Sequence, residues 1–146
     1  VEQVIVPLFA DREAMVAGAT GPRAAMLQGV IHSLAGIAGD KRISVVPKIV
    51  LSESRNFPDL AKFYLNNVLR RGQGLVRSLL NEGIKRGEFR SVDADQAFFC
   101  VMAPILLAML WEHSFGHVKD GPKLPALCRT HIDLLLHGLL KPGGAQ

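Results

Sequence analysis

Cysteine is scarce in this chain, and that scarcity sets the first boundary. Among 146 residues there are only Cys100 and Cys128, with no CxxC and no nearby pair of histidines. A disulfide framework and a structural zinc site are therefore excluded as organising principles. Long apolar runs are also missing. No window reaches the roughly 18 uninterrupted apolar residues of a membrane span; the nearest, Ala97 to Trp111, contains Pro104 and stops at Glu112. The expectation is a cytoplasmic protein without a membrane partner. Charge of one sign is not concentrated either: 17 Lys and Arg against 13 Asp and Glu give a net charge of +4, with no basic run longer than two. A nucleic-acid surface would cluster its cations, usually beside stacking aromatics or a reading helix, so direct DNA binding by these residues is not expected. No GxSxG, P-loop, dinucleotide fingerprint or HExxH occurs, and no convergent acid, base and nucleophile set can be assembled. No catalytic residue, metal ligand or cofactor is assigned, and the chain is not read as an enzyme.

What is abundant is apolar surface. Apolar residues make up 49% of the chain and mean hydropathy is +0.23, more than a polar-surfaced monomer of this length needs. Some of it should be buried against a partner or around a ligand. The length fits one domain with its own core. The opening Val1-Glu2-Gln3 has no initiator Met, basic n-region or cleavage site, so it reads as neither a signal peptide nor a natural start, and the chain is expected to be a fragment.

Gly, Pro and cap residues divide the sequence into helical blocks, with no sustained strand-type alternation, so the class is all-α. The first block runs from Glu2 to about Ala17. The second starts at Gly21-Pro22, places Met26, Leu27, Val30, Ile31 and Leu34 on one face, and ends at Gly39. The third follows Asp40 as N-cap and should be bent or split by Pro47. The longest begins at Asn56-Phe57-Pro58-Asp59 and continues to Gly87; Gly72, Gly74 and Gly83 inside it suggest a bend or close packing against another helix. Asp93-Ala94-Asp95-Gln96 is a strong N-terminal signal for a helix reaching about Phe115. A last helix spans about Lys123 to Leu140, which makes six in all.

The segment from Ala97 to Trp111 is apolar on every side. Phe98, Met102, Ile105 and Met109 form one stripe; Phe99, Ala103, Leu106 and Leu110 a second; Cys100, Leu107 and Trp111 a third. Such a helix needs cover all round. The last helix behaves similarly, with Leu124, Cys128, Ile132, Leu135 and Leu139 beside Leu127, His131, Leu134 and Gly138. Two such helices from each of two protomers would form a four-helix interface, although a central core helix within a monomer satisfies the same pattern. Pro104 removes a backbone hydrogen bond and frees the Cys100 carbonyl, which predicts a kink. A kink suits a ligand pocket lined by Phe98, Met102 and Met109, yet the same residues at the same spacing also describe an ordinary core. Glu53, Asn67 and His113 are polar groups beside apolar faces that could orient a ligand or simply lie at the surface. His113 and His117, four apart at a helix end, read as solvated or capping.

The stretch Ser52-Glu53-Ser54-Arg55-Asn56-Phe57-Pro58-Asp59-Leu60-Ala61-Lys62-Phe63-Tyr64, followed by Gly83-Ile84-Lys85-Arg86-Gly87-Glu88-Phe89-Arg90 and Asp93 to Ala97, resembles the C-terminal domain of TetR-type regulators. Ala103-Pro104 within an apolar helix and Trp111-Glu112-His113 near its end extend the resemblance over nearly the whole chain. It implies a single regulatory domain over residues 1–146: a connecting helix at 1–17 from an absent helix-turn-helix head, pocket helices at 18–90 and dimerisation helices at 91–140. The implied fold is a six-helix regulatory domain with a kinked apolar helix and a four-helix-bundle homodimer interface. The implied function is binding of a small apolar or amphipathic effector that alters operator binding by the head, through a shift of residues 1–17. Candidate ligand-binding residues are Met26, Val30, Leu34, Val50, Glu53, Phe57, Phe63, Tyr64, Asn67, Phe98, Met102, Ile105 and Met109. Candidate interface residues are Ala103, Leu106, Leu107, Leu110, Trp111, Leu127, His131, Leu134, Leu135 and Gly138. The alternatives from the residues alone are a helical dimerisation or protein-interaction module without a ligand and, more remotely, a redox switch through Cys100 and Cys128.

Overall fold

Helices close where the sequence supplies a stop. In the computed structural model, which describes residues 20–116 and 121–142, α1 (Arg23–Gly39) ends at Asp40. Asp40 then caps α2 (Lys41–Ser44) by accepting from the Arg42 amide at 3.0 Å. Hydrogen bonds from the Arg42 side chain, first of all, hold the Asp40 carboxyl below its ordinary titration range. Pro47 sits in the first turn of α3 (Val46–Glu53), so the third block is split at Val45. Proline cannot donate to the turn before it, and the chain restarts there.

The long fourth block begins at Pro58, as α4 (Pro58–Tyr64), passes through a π-helical turn at Leu65–Leu69, and continues as α5 (Arg70–Lys85). The irregularity falls before Gly72 rather than at the glycines. In the wider turn the Arg70 amide bonds the Leu65 carbonyl, five residues back, and the Asn67 side chain donates to the Phe63 carbonyl at 3.0 Å. α6 (Ala94–Phe115) starts where Asp93 accepts from the amides of Asp95 and Gln96 at 3.0 and 3.2 Å. α7 (Leu124–Leu139) completes the domain. With α2 and α3 taken as one broken rod and α4 to α5 as another, the described residues hold five helical rods and no strand. The connecting helix expected over residues 1–17 lies outside the described residues, as does His117.

The core lies between α1, α5, α6 and α7. Leu27, Ile31, Val76, Leu79, Leu80, Phe89, Phe98, Val101 and Cys128 form one continuous buried cluster. A smaller cluster of Ala38, Ile105 and Met109 sits further along α6. By length and composition α6 could cross a membrane; in this fold its Phe98 and Val101 are buried in the main cluster and its Ile105 in the smaller one.

α1 is capped from a distance. Pro22 has no side-chain acceptor for the first turn, and the amides of Arg23 and Ala24 donate to the two carboxylate oxygens of Glu88, at 3.0 and 2.9 Å. Arg86, beside it, donates to the Gly21 carbonyl at 3.0 Å. The loop after α5 therefore holds the first turn of α1. Glu88→Ala leaves two helix-terminal donors without their charged acceptor. An expected loss of about 1–2 kcal/mol in urea denaturation follows, with Glu88→Gln losing less.

Candidate functional site

A cavity of about 370 Å³ opens between α1, the α2–α3 break, the π turn, α5 and α6. α1 contributes Val30, Leu34 and Ile37; the α2–α3 rod adds Ile43, Val46 and Pro47. Tyr64, Leu65, Val68 and Leu69 come from α4 and the π turn, and Arg70, Gly72, Gln73, Leu75 and Val76 from α5. α6 closes the last wall with Phe98, Phe99, Met102, Ala103, Leu106 and Met109. The volume lies in the range of small-molecule sites. The π turn shapes this wall: one extra residue per turn re-aims Leu65, Val68 and Leu69 relative to the α5 face, a usual role for such turns at functional positions.

One end of the cavity is fastened by polar contacts. The Ser44 hydroxyl, almost fully buried, is 2.7 Å from His113 Nε2, and Lys48 Nζ donates to the His113 carbonyl. Together they fix the α2–α3 rod on the C-terminal half of α6. His113, expected to be solvated or capping, is instead an inter-helix bridge.

Of the residues put forward for ligand binding, Val30, Leu34, Tyr64, Phe98, Met102 and Met109 line the cavity. Ala103 and Leu106, put forward for the interface, line it as well. The others lie elsewhere. Met26 packs against the main core and its sulfur accepts from Arg23 at 2.6 Å. Val50 and Ile105 are buried outside the lining. Glu53 accepts from Asn56 at 3.2 Å, Phe57 is exposed, Phe63 is half-buried, and Asn67 is turned onto the Phe63 carbonyl. Leu65, Val68, Leu69 and the α5 residues of this wall are not among the candidates, because the π turn shifts the helical register after Tyr64.

Tyr64, the single tyrosine of the chain, carries one of the few polar groups at the cavity. Burial raises its phenol above the ordinary value of 10.0. The sign follows from the neutral form being favoured in the folded state. Its contribution to stability is complete below the ordinary value and is lost as pH rises through the raised one. Ultraviolet titration of the folded protein should give a single phenol midpoint above 10.0, and unfolding in urea should return it to the ordinary value. A folded-state midpoint at or below the ordinary value would remove Tyr64 from the desolvated wall.

Further apolar residues of α6 and α7 stay open to solvent, and Ala103 joins them to the cavity. Leu107 is 54% exposed and Leu134 68% exposed. Cys100, Ala103 and Gly138 are exposed, and Leu110, Trp111 and Leu127 half-buried. Two candidates for the interface turn inward. His131 is buried in its own protomer with Nε2 2.7 Å from the Val101 carbonyl, and Leu135 packs on the core. Cys100 is exposed and Cys128 buried, so the two thiols occupy different environments. Cys128 Sγ lies 3.6 Å from His32 Nδ1.

A family model for the C-terminal domain of AefR-like transcriptional repressors matches residues 25–123, more than half of the chain. The chain belongs to the TetR family of transcriptional regulators. No curated protein and no solved structure gives a significant match. The matched stretch of this TetR-family domain runs from the first turn of α1 to the residue before α7, and so includes every wall of the cavity. Membership agrees with the resemblance in the sequence around Ser52 to Tyr64 and Gly83 to Ala97.

Proposed function

We propose that this TetR-family domain is a non-enzymatic effector-binding and homodimerisation module of a cytoplasmic repressor, in which a small apolar or amphipathic molecule occupies the cavity and alters operator binding by a separate helix-turn-helix head. The observation that carries the reading is the cavity itself. It has room for a small organic molecule, and among its described lining residues only Tyr64, Arg70 and Gln73 bring polar side-chain groups. The homodimer is assigned to the exposed apolar edges of α6 and α7.

Coupling runs along α5. Its first turns form a cavity wall, and the loop at its far end holds Gly21, Arg23 and Ala24 through Arg86 and Glu88. An effector that displaces α5 therefore bears on the residues that follow segment 1–19, and through them on the head. By linkage, an effector that weakens operator binding is itself bound less tightly by the operator complex.

Nile red, a neutral apolar dye, tests the site. Saturable fluorescence enhancement is expected in the wild-type protein and its loss in Val68→Trp, which fills the cavity from the π turn. Native mass spectrometry of the same samples should show a dimer. A dimer that binds no dye would favour a plain dimerisation module, and a monomer at micromolar concentration would remove the interface.

A further inference from the structure

The cavity is polar on one side only, and that asymmetry restricts what can fill it. Arg70 and Gln73 are three apart on α5 and so share a helix face; Tyr64 precedes them across the π turn. No Asp or Glu is among the described lining residues. The Arg70 guanidinium has neither a hydrogen bond nor an ion pair among the described residues. Arg70 is exposed, as are its neighbours at the cavity, Leu65 and Phe99, so its charge stays hydrated at the mouth and carries no desolvation cost. The rest of the lining, from Val30 and Ile43 to Met102 and Met109, is apolar.

All three polar groups can donate. Arginine has only donors, the Gln73 amide supplies two more, and the Tyr64 phenol keeps its proton because burial disfavours the phenolate. A cationic head would be repelled by Arg70, and a neutral head would use none of its charge. A carboxylate accepts from guanidinium through two parallel hydrogen bonds, stronger than those to a neutral acceptor.

We propose that this cavity selects an amphipathic carboxylate, with its head at Arg70 in the mouth and its apolar tail between α1, the π turn and α6. The proposal rests on the cavity being the effector site and adds the class of effector. A solvated surface arginine with no ligand is the competing state, and the two differ in measurable selectivity.

Decanoate and its neutral counterpart decanol, both kept below micelle-forming concentrations at about pH 8, where the carboxyl is ionised, would be titrated calorimetrically into wild type, Arg70→Gln and Arg55→Gln. Arg55 is exposed and does not line the cavity, so it controls for the loss of one charge. Decanoate should bind wild type at least about tenfold more tightly than decanol, with the difference shrinking as salt rises. Arg70→Gln should weaken decanoate by about tenfold or more and leave decanol within about twofold, while Arg55→Gln changes neither. Equal binding of the two ligands by wild type overturns the proposal while leaving an apolar effector site intact. A uniform loss of both in Arg70→Gln overturns it too, because the arginine then supports the fold rather than the head group. If neither ligand nor Nile red binds wild type, the effector reading itself fails.

Discussion

Gly83→Ala is expected to destabilise the domain by about 1–3 kcal/mol, whereas the same change made in a Phe89→Ala background should stabilise it by up to about 1 kcal/mol. The sign reversal follows from one contact. A Cβ at position 83 would stand 2.2 Å from Phe89 Cδ2 and 2.6 Å from Cε2, and the Phe89 ring is fully buried at 0% exposure, so it has nowhere to retreat. Ordinarily alanine is the better residue inside a helix by about 1 kcal/mol. Here glycine serves because α5 ends by folding the chain back onto itself. Gly87 takes a left-handed φ of 74°, its amide bonds the Ile84 carbonyl at 3.0 Å, and the Glu88 amide bonds the Gly83 carbonyl at 2.9 Å. This paired closure delivers Phe89 onto the face of Gly83. The loop is then tied to the end of α7, where the Arg90 amide donates to the Leu139 carbonyl at 2.8 Å. Phe89→Ala alone should cost about 3–5 kcal/mol, and Phe89→Leu offers a milder second background. Urea denaturation of the four proteins measures the cycle. Equal destabilisation by Gly83→Ala in both backgrounds would show that the ring is not what holds position 83 to glycine.

That closure was only half legible in the sequence. Gly87 after a long periodic helix is a recognisable stop, but Gly83 pointed to close packing against another helix, and the group packed there is the Phe89 ring of the following loop, delivered by a turn geometry that spacing does not encode. Asp93 is the opposite case. An acidic cap just ahead of an apolar run states its own boundary, and both amides it accepts belong to the next three residues. Glu88 acts over 64 and 65 residues of separation, so no local pattern could have shown it as the cap of α1. The cavity divides in the same way. Residues on regular helices facing inward, such as Val30, Leu34, Met102 and Met109, follow from helical spacing. The wall from Leu65 to Gln73 does not, because the π turn breaks the register on which that spacing rests. Arg70 lies in a sequence with no basic run longer than two, and nothing in its spacing sets it apart. Its place at the cavity mouth depends on the same break.

Leu107→Arg and Leu134→Arg should convert a dimer to monomers with little change in the stability of the single protomer. On α6, Leu107 and Leu110 are three apart and Cys100 lies two turns before Leu107, away from the buried Val101, Ile105 and Ala108. On α7, Leu127, Leu134 and Gly138 form the adjoining edge. Leu107 and Leu134 are both more than half exposed in the protomer, so replacing either removes little from its own core. In a two-fold interface each substitution appears twice. Withdrawing two leucines from burial costs about 3–6 kcal/mol, equivalent to roughly two to four orders of magnitude in the dimer dissociation constant. The introduced charges add desolvation and repulsion to that. His131 provides the contrast: it is buried against Val101 within the protomer, so His131→Ala should lower unfolding stability by about 1–3 kcal/mol without a comparable loss of dimer affinity. Sedimentation velocity over a concentration series, paired with urea denaturation, separates the two classes. Arginine variants that remain dimeric at wild-type affinity would exclude this edge as the interface. The second copy would then have to lie against one of the other exposed apolar groups, such as Ile49, Leu51 and Phe57.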